Sequence, residues 1–242
     1  MASDGKPEKD DTPRRERGAI TVHQALREEI LTLVREPGSG LDEVSIAKTF
    51  NLSRTPVREA IFMLSGEGLV KVLPNRTSIV TPLSMHRLND LLDTWLILTR
   101  SVCVHAAHRR TPEGITDLRA RLVAFEATIG GGDMLATALA MLELQRGYAE
   151  VARNFFLSRY YPDCLDAGRR TLLLHYFPYA SSSELELQAR FHAALIDAID
   201  RDDVAACNTI AGDMIAAILK VIRASLEPTA ANQVDLSTAP LA

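Results

Sequence analysis

Aromatic side chains are scarce, 5% of 242 residues with a single tryptophan. With Ala, Leu and Ile plentiful, that scarcity argues against a sheet-rich fold and for helices. Cysteine is nearly absent. Cys103, Cys164 and Cys207 form no CxxC pair, so a zinc finger or redox motif is excluded. All three fall in helical patterns, as buried thiols of a cytoplasmic protein would. Positive charge is not in excess either, because the formal net charge is −4. A chain that is mostly nucleic-acid surface is thereby excluded. A small basic face on a larger acidic body is not, since binding follows the local field. No apolar run near the N-terminus reads as a signal peptide, and no stretch is expected to reach the ~20 apolar residues of a membrane span. No phosphate loop, nucleophile–base arrangement or internal repeat is visible. Glu143, Glu150 and Asp197 are single acids on helix faces, and His105 and His108, three apart, have no third ligand. A helical metal-dependent enzyme therefore lacks its constellation, and no catalytic residue is named. What remains is 47% apolar and 24% charged, a soluble globular composition. The length suffices for one large or two modest domains, each with its own core.

The informative stretch is 41–60, LDEVSIAKTFNLSRTPVREA. It reads as helix, tight turn, helix. Asp42 caps the first helix, and Ile46, Ala47 and Phe50 give its inner face. Asn51-Leu52-Ser53 makes the turn. Ser53 or Thr55 caps the second helix, with Pro56 in its first turn, where a missing N–H costs least. Val57, Ala60, Ile61 and Leu64 recur at helical spacing and form the buried face. The outer N-terminal end carries Arg54, Thr55 and Arg58. A helix start with two arginines and a hydroxyl suits a DNA major groove, where arginine grips guanine O6 and N7 with parallel bonds.

Around this motif, residues 1–18 are expected to be a disordered tail, charged and without apolar period. In it Arg14, Arg15 and Arg17 are offset by Asp10, Asp11 and Glu16. Residues 20–36 are predicted as a helix with Val22, Leu26, Ile30, Leu33 and Val34 inward, stopped by Pro37-Gly38-Ser39-Gly40. After the second motif helix, 69–72 and 78–80 read as a hairpin with Asn75 and Arg76 at its tip. Pro82 marks a linker. From 84 to about 226 the pattern is helical, with helices predicted over 85–109, to about 129, 133–156, 158–177, to 200, and to 226. Leu88, Leu91, Leu92, Trp95, Leu98, Val102 and Ala106 face inward on the first. Thr111, Asp133, Ser183 with Glu186 in a capping box, and Asp202 or Asp203 are the expected caps, and Pro162 is expected in a first turn. Residues 227–242 are expected to be a frayed, disordered tail. Six helices on short loops make an antiparallel bundle. The predicted fold is therefore mostly α: a winged helix-turn-helix over 19–82, of three helices and a two-stranded wing, then an all-α antiparallel bundle over 83–226.

SRTPVREA followed by EGLVKVLPNRTSIV resembles the winged helix-turn-helix of GntR-type bacterial transcription regulators, over about 19–82. The branch it is most similar to is FadR-like, with a helical FCD ligand domain. That resemblance runs more weakly over 84–226, through residues 145–154 and 191–199. It implies a cytoplasmic homodimer on a pseudo-palindromic operator, repression more often than activation, and DNA contacts from Ser53, Arg54, Thr55, Arg58, Asn75, Arg76 and Thr77. Two positions depart from the pattern: Val44 stands where relatives carry a basic residue, and Thr77 where they often have glycine. Many FCD domains hold a divalent metal through an Asp and three His. Here those positions are Met141, Gln145, His192 and Met214, so no metal and no other cofactor is expected. Where relatives have an arginine and a glutamate on the first long bundle helix, this chain has Trp95 and Thr99. The implied effector pocket is thus Trp95, Thr99, Met141, Gln145, Tyr148, His192 and Met214, suited to a larger, less charged aromatic or acyl compound. Two alternatives stay open: these residues simply fill the core, or the bundle is purely a dimerisation module.

Overall fold

The computed structural model describes residues 12–74 and 77–226. The chain forms two compact units divided between Ser84 and Met85. The head contains α1 (Thr12–Leu31), β1 (Gly40–Leu41), α2 (Glu43–Thr49), α3 (Arg54–Gly66), β2 (Val70–Val72) and β3 (Ser78–Val80). Its core joins Val22, Leu26 and Ile30 of α1 to Ile46 and Ala47 of α2 and to Val57, Ala60, Ile61 and Leu64 of α3. These are the apolar positions that helical spacing selects. Asp42 caps α2 by accepting from the Val44 and Ser45 N–H groups, and Asn51 makes the turn at φ +51, a conformation asparagine tolerates.

Three head expectations are corrected. α1 starts at Thr12, so residues 12–17 belong to a helix and not to a disordered tail; Arg15 there pairs with Glu59 of α3. α1 also stops at Leu31, because Leu33 takes φ +64 and turns the chain before Pro37. Val34 is consequently 73% exposed and leaves the inner stripe. Finally, the sheet has three strands, ordered β1-β3-β2 and antiparallel, with Gly40 opposite Ile79 and Lys71 opposite Ile79 from the other side. Two-residue β1 is too short to show any period. Asn75 and Arg76 lie outside the described residues.

Among the described residues the second unit is helical: α4 (Met85–Arg109), α5 (Pro112–Glu126), α6 (Met134–Ala152), α7 (Phe155–His175), α8 (Ser182–Asp200) and α9 (Val204–Leu226). α4 packs against α6, α7, α8 and α9, while α5 closes on α6 and α8. Thr111, Asp133 and Asn154 cap α5, α6 and α7, and the Asp203 carboxylate accepts from Ala206 N–H at the start of α9. α6 ends at Ala152, not 156, because Arg153 turns left-handed at φ +47 and Asn154 caps the next helix. Pro162 accordingly lies inside α7 and not in its first turn. The capping box of α8 uses Ser181 and Glu184, two residues earlier than Ser183 and Glu186.

α9 corrects another expectation. By length and composition it is apolar enough to cross a membrane. Here Cys207, Ala211, Met214, Ile215, Ile218 and Ile222 place one of its faces in the bundle core.

Candidate DNA-reading face and buried polar cluster

α3 is held by its buried face, which leaves Ser53, Arg54, Thr55 and Arg58 exposed together at its N-terminal end. Ser53 occupies the N-cap position with extended backbone but makes no side-chain cap bond, so its hydroxyl is not committed to the helix. Arg54 Nη2 and Arg58 Nε both donate to one oxygen, Glu43 Oε2, at 3.0 and 2.8 Å. Glu43 opens α2. Burial pulls its carboxyl upward, but the hydrogen bonds and charges of Arg58 and Arg54 outweigh burial and hold it below the ordinary value. A cleft of about 840 Å³ runs between α3 and the wing, lined among others by Glu43, Arg54, Arg58, Phe62, Val72 and Thr77. Phe62 and Val72 are 79% and 51% exposed on its walls, and apolar groups there suit a thymine methyl. Thr77 is exposed beside β3, its carbonyl accepting from Leu73 N–H at 2.8 Å. Val44 is exposed on α2 and offers no charge to a phosphate. Glu43, Phe62 and Val72 were not among the sequence candidates.

In the bundle, Trp95 and Thr99 (α4), Met141, Gln145 and Tyr148 (α6), His192 (α8) and Met214 (α9) are all exposed by 3% or less. Three of these side chains meet through Tyr161 of α7. Trp95 Nε1 and Tyr161 OH both donate to Gln145 Oε1, each at 3.1 Å. With the phenol proton so used, Thr99 Oγ1 donates to Tyr161 OH at 3.2 Å. Separately, Tyr148 OH lies 2.8 Å from His192 Nδ1, and the His192 ring stacks on Tyr148 and meets Phe125 edge-on. Gln188, one turn from His192, donates to the Met214 carbonyl at 3.3 Å. Burial pushes the His192 imidazolium down to about 3 and pushes the Tyr148 phenol and the Cys103 thiol well above their ordinary values. The cluster is therefore uncharged at pH 7. Gln145 Nε2, Gln188 Oε1 and His192 Nε2 are buried without a hydrogen-bond partner among the described residues. Tyr161 and Gln188 are additions to the sequence candidates. Gln188 was recoverable as the residue four before His192; Tyr161 carries no such signal.

The implied metal can be tested against this donor set. Gln145 Oε1 already accepts two hydrogen bonds, Met141 and Met214 offer thioethers, and His192 offers one nitrogen. Among the described residues no group of three or more His, Cys, Asp or Glu could hold an ion. The set does not fit a hard divalent cation.

A helix-turn-helix with an arginine-bearing second helix, an antiparallel wing and a helical bundle define the class: a winged-helix protein with a helical second domain. Residues 19–80 match the gntR family of bacterial regulatory proteins and residues 90–217 match the FCD domain. The chain belongs to the GntR family, in the branch that carries an FCD domain. It is 41% identical over 69 residues to a helix-turn-helix-type transcriptional regulator of Streptomyces ambofaciens, covering 28% of this chain and 29% of that protein. It is 36% identical over 69 residues to the helix-turn-helix-type transcriptional repressor RspR of Escherichia coli K12, covering 28% and 30%. The chain thus spans about three tenths of the length of those relatives. Escherichia coli McbR/YncC shares the fold at a TM-score of 0.75 and 17% identity, over 87% of this chain and 99% of that one.

Proposed function

We propose that the protein is a cytoplasmic, homodimeric repressor of transcription and not an enzyme, binding a pseudo-palindromic operator through α3 and the wing. The observation that carries this reading is the exposed pair Arg54 and Arg58 at the start of α3, bordering the cleft toward the wing. Two copies would set two recognition helices about one DNA turn apart. Relatives named as repressors, RspR and the gluconate operon repressor of Bacillus licheniformis, support repression. Arg54→Ala and Arg58→Ala are each expected to remove about 1–3 kcal/mol of base discrimination, read by fluorescence anisotropy on the preferred duplex, with the fold intact by circular dichroism. Unchanged affinity and specificity in both variants would reject the assignment.

For the bundle, the reading is a metal-free sensor of an uncharged small molecule. Its support is an uncharged polar cluster in which Gln145 Nε2, His192 Nε2 and Gln188 Oε1 have no hydrogen-bond partner among the described residues. The near-complete enclosure of all seven pocket candidates favours a second reading, a bundle that only dimerises. Native mass spectrometry separates them. A dimer carrying an organic adduct supports sensing, a dimer of bare chain mass supports the structural bundle, and a dimer carrying a metal contradicts the metal-free reading.

A further inference from the structure

Resting on that reading of the head, we propose that Glu43 is the specificity-determining positioning residue of the DNA-reading face, holding Arg54 and Arg58 as one preset pair. The two arginines lie four residues apart on α3 and, unpaired, would repel each other. Glu43 sits on the neighbouring helix and spans both, because Oε2 accepts from Arg54 Nη2 and from Arg58 Nε. Its carboxylate is the sheltered member, 22% exposed against 55% and 61% for the guanidinium side chains. It therefore supports them from below and leaves them outward. Arg58 commits Nε to Glu43, which leaves its terminal Nη1 and Nη2 as the fork that fits guanine O6 and N7.

An acid at the centre of a DNA-reading face is unfavourable for binding in general, since it repels phosphate. Its effect is selective. Arginine stems are long and rotamer-rich, and a free arginine meets any nearby phosphate. Pairing to a fixed carboxylate removes that freedom, so the guanidiniums are presented toward base edges and less toward backbone. Glu43 thus lowers non-specific affinity and raises the ratio between preferred and other sequences.

The test uses the full chain. A duplex preferred by the unaltered protein is first selected from a random pool. Dissociation constants for that duplex and a scrambled one are then measured over 50–200 mM salt for the unaltered protein, Glu43→Gln and Glu43→Asp. Glu43→Gln removes the charge at constant shape. It is expected to bind the scrambled duplex more tightly, with a salt slope steeper by about one phosphate equivalent, and to lose at least about tenfold in the preferred-to-scrambled ratio. Glu43→Asp keeps the charge but is too short to bridge both arginines. Its salt slope should match the unaltered protein while its ratio still falls. Circular dichroism separates these effects from unfolding, and if one variant fails to fold the other carries the test. An unchanged ratio in folded Glu43→Gln overturns the proposal, and an unchanged ratio in Glu43→Asp reduces Glu43 to a charge without a positioning role. If the unaltered protein selects no sequence at all, the DNA-reading assignment of the head itself fails.

Discussion

His192 shows how a single residue couples the bundle to pH. Buried neutral beside Tyr148, its imidazolium is held down to about 3 from an ordinary value of 6.5. Above pH 6.5 neither the folded nor the unfolded chain binds this proton. Below it, the unfolded chain takes the proton and the folded chain does not until about pH 3. Stability is therefore fully present above 6.5 and falls on acidification, by up to about 1.4 kcal/mol per pH unit within that window. Trp95, the single tryptophan, is in the bundle core and reports its unfolding. His192→Phe should flatten this part of the pH profile relative to the unaltered chain. At neutral pH it should lose about 1–3 kcal/mol from the unpaired Tyr148 hydroxyl. An identical acid slope in the two proteins would contradict the buried neutral assignment. At this scale the sequence was only partly legible. Trp95, Thr99 and Gln145 came from resemblance, and the structure links them through Tyr161, whose tertiary partners no local pattern encodes. Glu43 was passed over for a similar reason: its partners sit across a turn on another helix, at a spacing no helical period marks.

Helix junctions give the second set of expectations. At Gly147 of α6, a Cβ would come within 2.9 Å of Leu118 Cδ2 and 3.1 Å of Arg121 Cδ. Leu118 is fully buried, and Arg121 is tied to Asp117, Glu143 and Glu150. Neither can move aside, so Gly147→Ala should destabilise by about 1–3 kcal/mol through overpacking. Gly212 of α9 looks tighter, with a Cβ 2.6 Å from Arg100 Nη2. That atom is the end of a flexible chain which can swing away, so Gly212→Ala should be near neutral, helped by up to about 1 kcal/mol of helix propensity. Urea unfolding followed by Trp95 fluorescence ranks the pair, and equal losses would refute the distinction. Caps show where sequence reading ends. Residues 181–186 contain two overlapping Ser-x-x-Glu frames, Ser181 with Glu184 and Ser183 with Glu186, and spacing alone cannot choose between them. Hydrogen bonds select the first. Ser181→Ala should cost about 0.5–2 kcal/mol and Ser183→Ala clearly less. The long periodic helices α3, α4 and α8 were legible nearly to their ends. The α6–α7 junction was not, because one left-handed residue, Arg153, breaks an otherwise continuous helical pattern.

Across the whole molecule the described residues form two hydrophobic cores, one from the helices and sheet of the head and one from the helices of the bundle. The chain divides between Ser84 and Met85, just after Pro82, where the apolar period changes from strand to helix. Leu64→Ala in the head core should cost about 2–5 kcal/mol in head stability, seen by far-ultraviolet circular dichroism, while the Trp95 transition stays in place. A net charge of −4 on the whole chain makes the arginine pair on α3 a local feature, so binding to DNA should be strongly salt-dependent yet sequence-selective. The most direct measurement of the central claim is sequencing of the duplexes that the full-length protein retains from a random pool. Enrichment of a guanine-containing half-site, present twice in inverted orientation about one helical turn apart, is the result expected of a dimer reading DNA through Arg54 and Arg58. A retained pool with the same composition as the input would contradict it.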